Sequence, residues 1–254
     1  MQKTILFSCV VLCIIFLSVG CKDTPQGSVN APASTVNAAI KPLTNAGSEV
    51  LSKEMRDKMT PASVLDELMA GNKRFLANSL TPHNLQAQVK NAAGGQNPKA
   101  IILSCIDSRV LVEEVFDESI GDVFVARVAG NVVDDDILGS MEYACKYAGA
   151  KLVMVVGHES CGAVKAAVDN VVDGKITTLV EKIKPAVADN KMMPGEKSSK
   201  NHELVDAVCK SNVKNNIALI RKSSAILNQM EKDGKIKIVG AYYDLDSGAV
   251  SPVE

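Results

Sequence analysis

The chain has 254 residues, 46% hydrophobic and 22% charged, which suits one sizeable α/β domain or two small ones. Its 28 Lys and Arg against 29 Asp and Glu leave a net charge of −1, with no basic face for nucleic acid and no acidic tail. With 5 Phe, 4 Tyr and no Trp, stacking platforms for bases or sugars are not expected, and His83, His158 and His202 include no pair within one helical turn, which excludes H-E-x-x-H metal sites.

The chain opens on Lys3 and an apolar run, Ile5 to Val19, broken only by Ser8 and Ser18. As a helix the run would measure about 22 Å at ~1.5 Å per residue, short of the roughly 30 Å hydrocarbon core, so it reads as an export signal rather than a span. Leu17-Ser18-Val19-Gly20-Cys21 resembles a bacterial lipobox, with Cys21 the lipid-bearing first residue of the mature chain. Ser18 stands where such boxes usually carry Leu. An ordinary cleaved signal and a retained anchor are the other readings. Lys22 to Ala46, rich in Ser, Thr, Asn, Ala and Pro, has no periodic apolar face. The expected organisation is a signal peptide over 1–20, a disordered tether over 21–50 and a folded domain over 51–254. The expected location is the periplasm or cell envelope, as a lipoprotein held to a membrane through Cys21 or as a cleaved, soluble protein.

Thr60-Pro61 predicts a helix start, with Val64, Leu65, Leu68 and Met69 as its buried stripe and Gly71 near its end. Ala100 to Leu103, Val123 to Val125 and Leu152 to Val156 are wholly apolar, as in strands buried on both faces. Asp134, Asp135 and Asp136 open a helix running through Tyr147, acidic at the positive end of its dipole. Another helix is expected after Cys161, and a long helix or helical pair from His202 to Met230. Ile236 to Tyr242 reads as the final strand. Strands alternating with helices predict an α/β fold with a mainly parallel central sheet flanked by helices.

Of the 7 Cys, Cys9, Cys13 and Cys21 belong to the export segment. Cys105 follows the first strand in Ser104-Cys105-Ile106-Asp107-Ser108-Arg109, and Cys161 follows the third in Gly157-His158-Glu159-Ser160-Cys161-Gly162. Both stand at carboxyl ends of strands, where open α/β sheets place their ligands. Two thiolates and an imidazole suit zinc, and three protein ligands leave a fourth position open, the mark of a catalytic site. Either motif alone reads better as core filler. Cys145 and Cys209 read as helix core, a bridge between them being the less favoured reading, and His83 and His202 as surface histidines.

Cys105-x-Asp107-Ser108-Arg109 and His158-x-x-Cys161-Gly162 together resemble the β-class carbonic anhydrase family. The resemblance extends to Gly121 through Arg127, to Asn131 and to Gly139 through Tyr143, and covers roughly Pro61 to Asp246. It implies one zinc per chain on Cys105, His158 and Cys161, with Asp107 as a fourth ligand in an inactive form, and the reversible hydration of CO2 to bicarbonate. Asp107, held ionised and oriented by Arg109, would accept a hydrogen bond from the attacking water. Gln96 matches a substrate-binding glutamine, Phe124 and Tyr143 match aromatic positions of a cleft formed across a dimer interface, and Gly162 leaves backbone beside the metal. A homodimer or larger homo-oligomer follows, with no nucleic-acid partner. Some family members carry a regulatory bicarbonate pocket built from a Trp, an Arg and a Tyr; here Arg127 is present, but the Trp position is Ile102. The other functional readings are a hydrolase of COS or CS2 on the same site and a non-catalytic zinc-binding lipoprotein. An intact Asp107–Arg109 pair and Gln96 weigh against the last, since a structural zinc needs neither.

Overall fold

The computed structural model describes residues 47–254; the expected export signal, Cys21 and the expected tether up to residue 46 lie outside the described residues. The elements are α1 (Lys53–Lys58), α2 (Pro61–Leu76), α3 (Leu85–Ala92), β1 (Ala100–Ser104), α4 (Val112–Val115), β2 (Val123–Arg127), a 3₁₀ turn (Ala129–Asn131), α5 (Asp135–Glu142), a π-turn (Tyr143–Tyr147), β3 (Leu152–His158), α6 (Gly162–Val168), α7 (Gly174–Asp189), α8 (His202–Ser223), α9 (Ala225–Lys232), β4 (Lys237–Tyr243) and β5 (Val250–Val253). Residues 47–50, assigned to the tether, are instead tied down. The Gly47 carbonyl accepts from the Asn84 N–H at 3.0 Å and from Gln88 Nε2 at 2.7 Å, and the Ser48 carbonyl accepts from Asn91.

The sheet runs β2-β1-β3-β4-β5, with β5 alone antiparallel. β1 over residues 100–103 and β3 over residues 152–156 are wholly apolar because each feeds two cores. Ile101, Leu103, Val153 and Val155 pack with Met141 of α5, Val213 and Ile220 of α8 and Leu227 of α9. Ala100, Ile102, Leu152 and Met154 pack on the other face with Val64 and Leu68 of α2 and Val112 and Val115 of α4. Helices therefore cover both faces, as the strand–helix alternation predicts.

α2 starts as expected: the Thr60 side chain accepts from the Ser63 N–H while the Ser63 hydroxyl accepts from the Thr60 N–H. It does not stop at Gly71. A Cβ at that position would lie 1.8 Å from the Phe116 carbonyl oxygen, so this glycine serves a close crossing and not a helix end. The 134–147 helix is present, capped by Asp134 on the Ile137 N–H, and its last turn widens to the π-turn. The 202–230 segment is a pair, α8 and α9, separated at Ser224, whose hydroxyl caps α9. β4 is not the final strand: β5 returns along Gly240–Tyr243 only. Along the remaining open edge of β4, Arg221 donates to the Ile238 carbonyl at 3.0 Å, the Ile238 N–H donates to Glu231 at 3.2 Å, and Arg221 and Glu231 pair at 2.8 Å.

At the amino ends of the strands one buried ammonium serves several carboxylates. Lys99 Nζ lies 2.7 Å from Glu67 and 2.9 Å from Glu118, with Asp122 nearby. Burial pushes the Glu118 carboxyl up to about 7, beyond what Lys99 offsets, because Glu67 and Asp122 compete for the same cation. At Lys99 the carboxylates outweigh burial, and its pKa is raised. A raised carboxyl pKa gives stability that is present below the ordinary Glu range and is lost as pH rises through about 7. On this group alone the fold should be weaker at pH 8 than at pH 5 by about 2–3 kcal/mol. Urea unfolding at the two pH values measures this, and Glu118→Gln should flatten the difference; an unchanged difference in that variant would refute the assignment.

Candidate metal centre

The chain passes from β2 to β3 across β1, so the strand order reverses between β1 and β3. Outside the carboxyl ends of those two strands lies the crevice that doubly wound sheets use for ligands. β1 delivers Cys105 there, β3 ends on His158, and Cys161 is the residue at which α6 begins. Ser160, with φ +52°, turns the chain between them.

All three side chains are buried, and their ligand atoms lie within 4.8 Å of one another. The two sulfurs are 3.9 Å apart. His158 Nδ1 lies 2.8 Å from the Glu159 carbonyl oxygen, which can only accept, so that nitrogen carries the proton. Nε2 is left with a lone pair, buried and without a hydrogen-bond partner. An orphaned imidazole lone pair beside two thiols is a donor set that fits zinc, held by three protein atoms with a further position open. The thiols differ. A hydrogen bond from Cys161, with further ones from the Gly130 and Asp107 N–H groups, holds Cys105 well below the usual thiol range. The same pairing, with burial, pushes Cys161 up.

Asp107 stands over this group. Arg109 Nε and Nη2 donate to its two oxygens at 2.9 and 2.8 Å, and the Arg109 N–H adds a third bond at 3.0 Å. That guanidinium holds the Asp107 carboxyl well below the usual carboxylate range. Asp107 Oδ2 is 3.9 Å from His158 Nε2 and lies outside the three-residue cluster. Of the two ligand sets the resemblance implies, the three-residue one is assembled, with Asp107 turned to Arg109.

Sequence reasoning attached Arg127 only to a regulatory pocket. It instead grips the loop that carries Cys105 and Asp107, donating to the Cys105 carbonyl at 2.9 Å and the Asp107 carbonyl at 2.6 Å. It ends β2 opposite Ser104 in the β1–β2 register, one residue before Cys105. Ile102, at the Trp position, is fully buried core. Gly162 starts α6 with open space where a Cβ would be. Gln96 is not brought to the metal centre of its own chain: it precedes β1, exposed, at the opposite end of the strands. Phe124 and Tyr143 meet each other, ring centroids 6.4 Å apart, in a cavity of about 600 Å³ on the open edge strand β2 that includes none of the three ligands. Cys145 and Cys209 are free and buried in separate cores, each pushed up to about 12 by burial, so no bridge joins them. His83 sits 3.3 Å from Asp117, among residues preceding β2, and His202 is exposed at the start of α8.

A profile of the carbonic anhydrase family matches residues 100–250. Carbonic anhydrase 2 of Mycobacterium tuberculosis is 36% identical over 196 residues, covering 74% of this chain and 90% of that protein. The carbonic anhydrase of Mycolicibacterium smegmatis is 34% identical, covering 75% and 92%. Among solved structures, a tetrameric β-carbonic anhydrase of Sordaria macrospora superposes with TM-score 0.60 at 22% identity, over 76% of this chain and 94% of that one. The Aspergillus fumigatus β-carbonic anhydrase CafA gives 0.59 at 24%, over 76% and 89%.

Proposed function

This chain belongs to the β-class carbonic anhydrase family, and from that premise we propose that Cys105, His158 and Cys161 hold its zinc while Asp107, fixed by Arg109, orients the attacking water. Its reaction is the reversible hydration of CO2 to bicarbonate and a proton. Bound zinc supplies the Lewis acidity that lets water ionise near neutral pH. The residues do the rest. His158, fixed in one tautomer by the Glu159 carbonyl, presents a lone pair and no proton. Asp107, ionised and acceptor-only, takes a hydrogen bond from the attacking water and so turns the oxygen lone pair toward CO2. Arg109 keeps both carboxylate oxygens in place, and Arg127 fixes the backbone on which Asp107 rides. The observation that carries the reading is the buried, unpartnered His158 Nε2 beside two thiols 3.9 Å apart.

The working unit is a homodimer or larger. Tyr143 and Tyr147, stacked 6.1 Å apart and 58% and 73% exposed, stand beside Phe124 on the edge strand β2, whose outer side is unpaired. Exposed rings next to an open strand edge suit a second copy, whose Phe124 and Tyr143 would then complete the substrate cleft with Gln96. Sedimentation of the active protein should give a dimer or larger species; a fully active monomer contradicts this.

The mature protein sits in the cell envelope, anchored by lipid on Cys21. The supporting features are the short apolar run and the small residues before that cysteine. Cys21→Ser should move the protein from the membrane fraction to the soluble one; retention there would favour an uncleaved anchor.

A further inference from the structure

Two buried asparagines on α8 have no place in the reaction described so far. Asn212 is 1% exposed and Asn216 is 6% exposed. Asn212 Nδ2 donates to the Gly130 carbonyl at 2.8 Å. Asn216 Nδ2 donates to the Asn212 carbonyl at 2.8 Å and to Asn212 Oδ1 at 3.2 Å, and Asn216 Oδ1 accepts from the Val133 N–H at 2.9 Å. Because Asn216 donates to Asn212 Oδ1, the Asn212 amide has one orientation, with its NH2 toward Gly130. The object of this arrangement is the 3₁₀ turn 129–131, whose Gly130 N–H donates to Cys105 Sγ at 3.3 Å.

Gly130 is in the left-handed region, φ +68°, and a Cβ there would lie 2.7 Å from Ile183 Cδ1 and 3.1 Å from Ala163 Cβ. The turn is thus pressed by α6 and α7 from one side and held by the asparagines of α8 through hydrogen bonds. A hydrogen bond to a thiolate draws charge from sulfur and reduces what that sulfur donates to a metal. With two thiolates in the ligand set, such a bond bears directly on the acidity of the centre.

We propose that Asn212, oriented by Asn216, is a positioning residue of the zinc centre: by anchoring Gly130 it aims that residue's N–H at Cys105 and sets how strongly the thiolate donates to the metal. The inference rests on Cys105, His158 and Cys161 being the metal ligands. A role confined to satisfying the turn's polar groups would affect stability only.

Cobalt-substituted protein separates these. Asn212→Ala should shift the sulfur-to-cobalt charge-transfer band to longer wavelength, lower zinc affinity about tenfold, and raise the midpoint of the pH–rate profile. Asn216→Ser should move all three the same way, by less. Ile220→Ala, a truncation in the core of the same helix, should lower stability and leave the band where it is. In the unmodified protein loaded with an NMR-active cadmium isotope, the Gly130 amide should couple to the metal through the N–H···S bond. Absence of that coupling overturns the proposal whatever the variants do. So does an unmoved band in folded Asn212→Ala, or in Asn216→Ser should Asn212→Ala fail to fold. If the unmodified protein binds neither cobalt nor zinc, the ligand assignment fails first and the inference with it; metal bound without coupling sinks the inference alone.

Discussion

Replacing His158 by Ala should remove zinc from the protein and CO2 hydration with it. The imidazole is the sole nitrogen donor in the cluster, and without it two thiols 3.9 Å apart are left to hold a divalent cation. Loss of a mere hydrogen-bond partner of a metal ligand costs about 10–100-fold in affinity or activity, so loss of the ligand itself should exceed that range. The fold should survive, because β3 keeps its pairing with β1 and β4 and the lost side-chain bond is local. Elemental analysis and stopped-flow hydration read the two effects together. Undiminished zinc in His158→Ala would falsify the ligand assignment.

Arg109→Ala should give the opposite split, with zinc near one per chain and activity reduced about 10²-fold or more, the scale of a lost proton-handling group. The Arg109 side chain supplies two of the three hydrogen bonds Arg109 makes to Asp107, the backbone N–H that Ala keeps supplying the third, and that side chain is 57% exposed. Its removal therefore leaves no cavity, and thermal stability should change little. What changes is the freedom of Asp107, whose Oδ2 is already 3.9 Å from His158 Nε2 and could then turn onto the metal in place of water. Activity retained at the unmodified level, with zinc bound, would show that Asp107 needs no partner to stay in place.

The metal centre was legible because its parts are local. Each motif spans a few residues, and wholly apolar strands announced where those residues would fall. The switch between β1 and β3 then did what spacing alone could not, bringing positions 105 and 161 together. Gln96, Phe124 and Tyr143 are different: one chain does not gather them around the thiolates, so their roles depend on a neighbour that spacing cannot describe. Arg127 and Asn212 were missed because their partners are backbone atoms, and a carbonyl leaves no trace in the pattern of side chains. No helix was expected over residues 174–189, where Val180, Ile183 and Ala186 bury apolar surface against α6 and α8 and carry α7 through Pro185. Gly71 misled in the other direction, since a glycine required by a close crossing looks the same as one that ends a helix.

The Arg221–Glu231 pair on β4 bears on how far this sheet can grow. By occupying both hydrogen-bonding groups of Ile238, it stands in for the strand that β5 is too short to provide, and β5 itself carries Pro252, which has no N–H to offer. Among the described residues, only the β2 margin keeps both an open ladder and exposed aromatic rings. A sheet with one receptive margin and one closed margin can join a second copy of itself by that margin, like to like, around a two-fold axis. The joined sheet would then end on closed margins at both sides, so this edge-to-edge pairing would not propagate into a fibre.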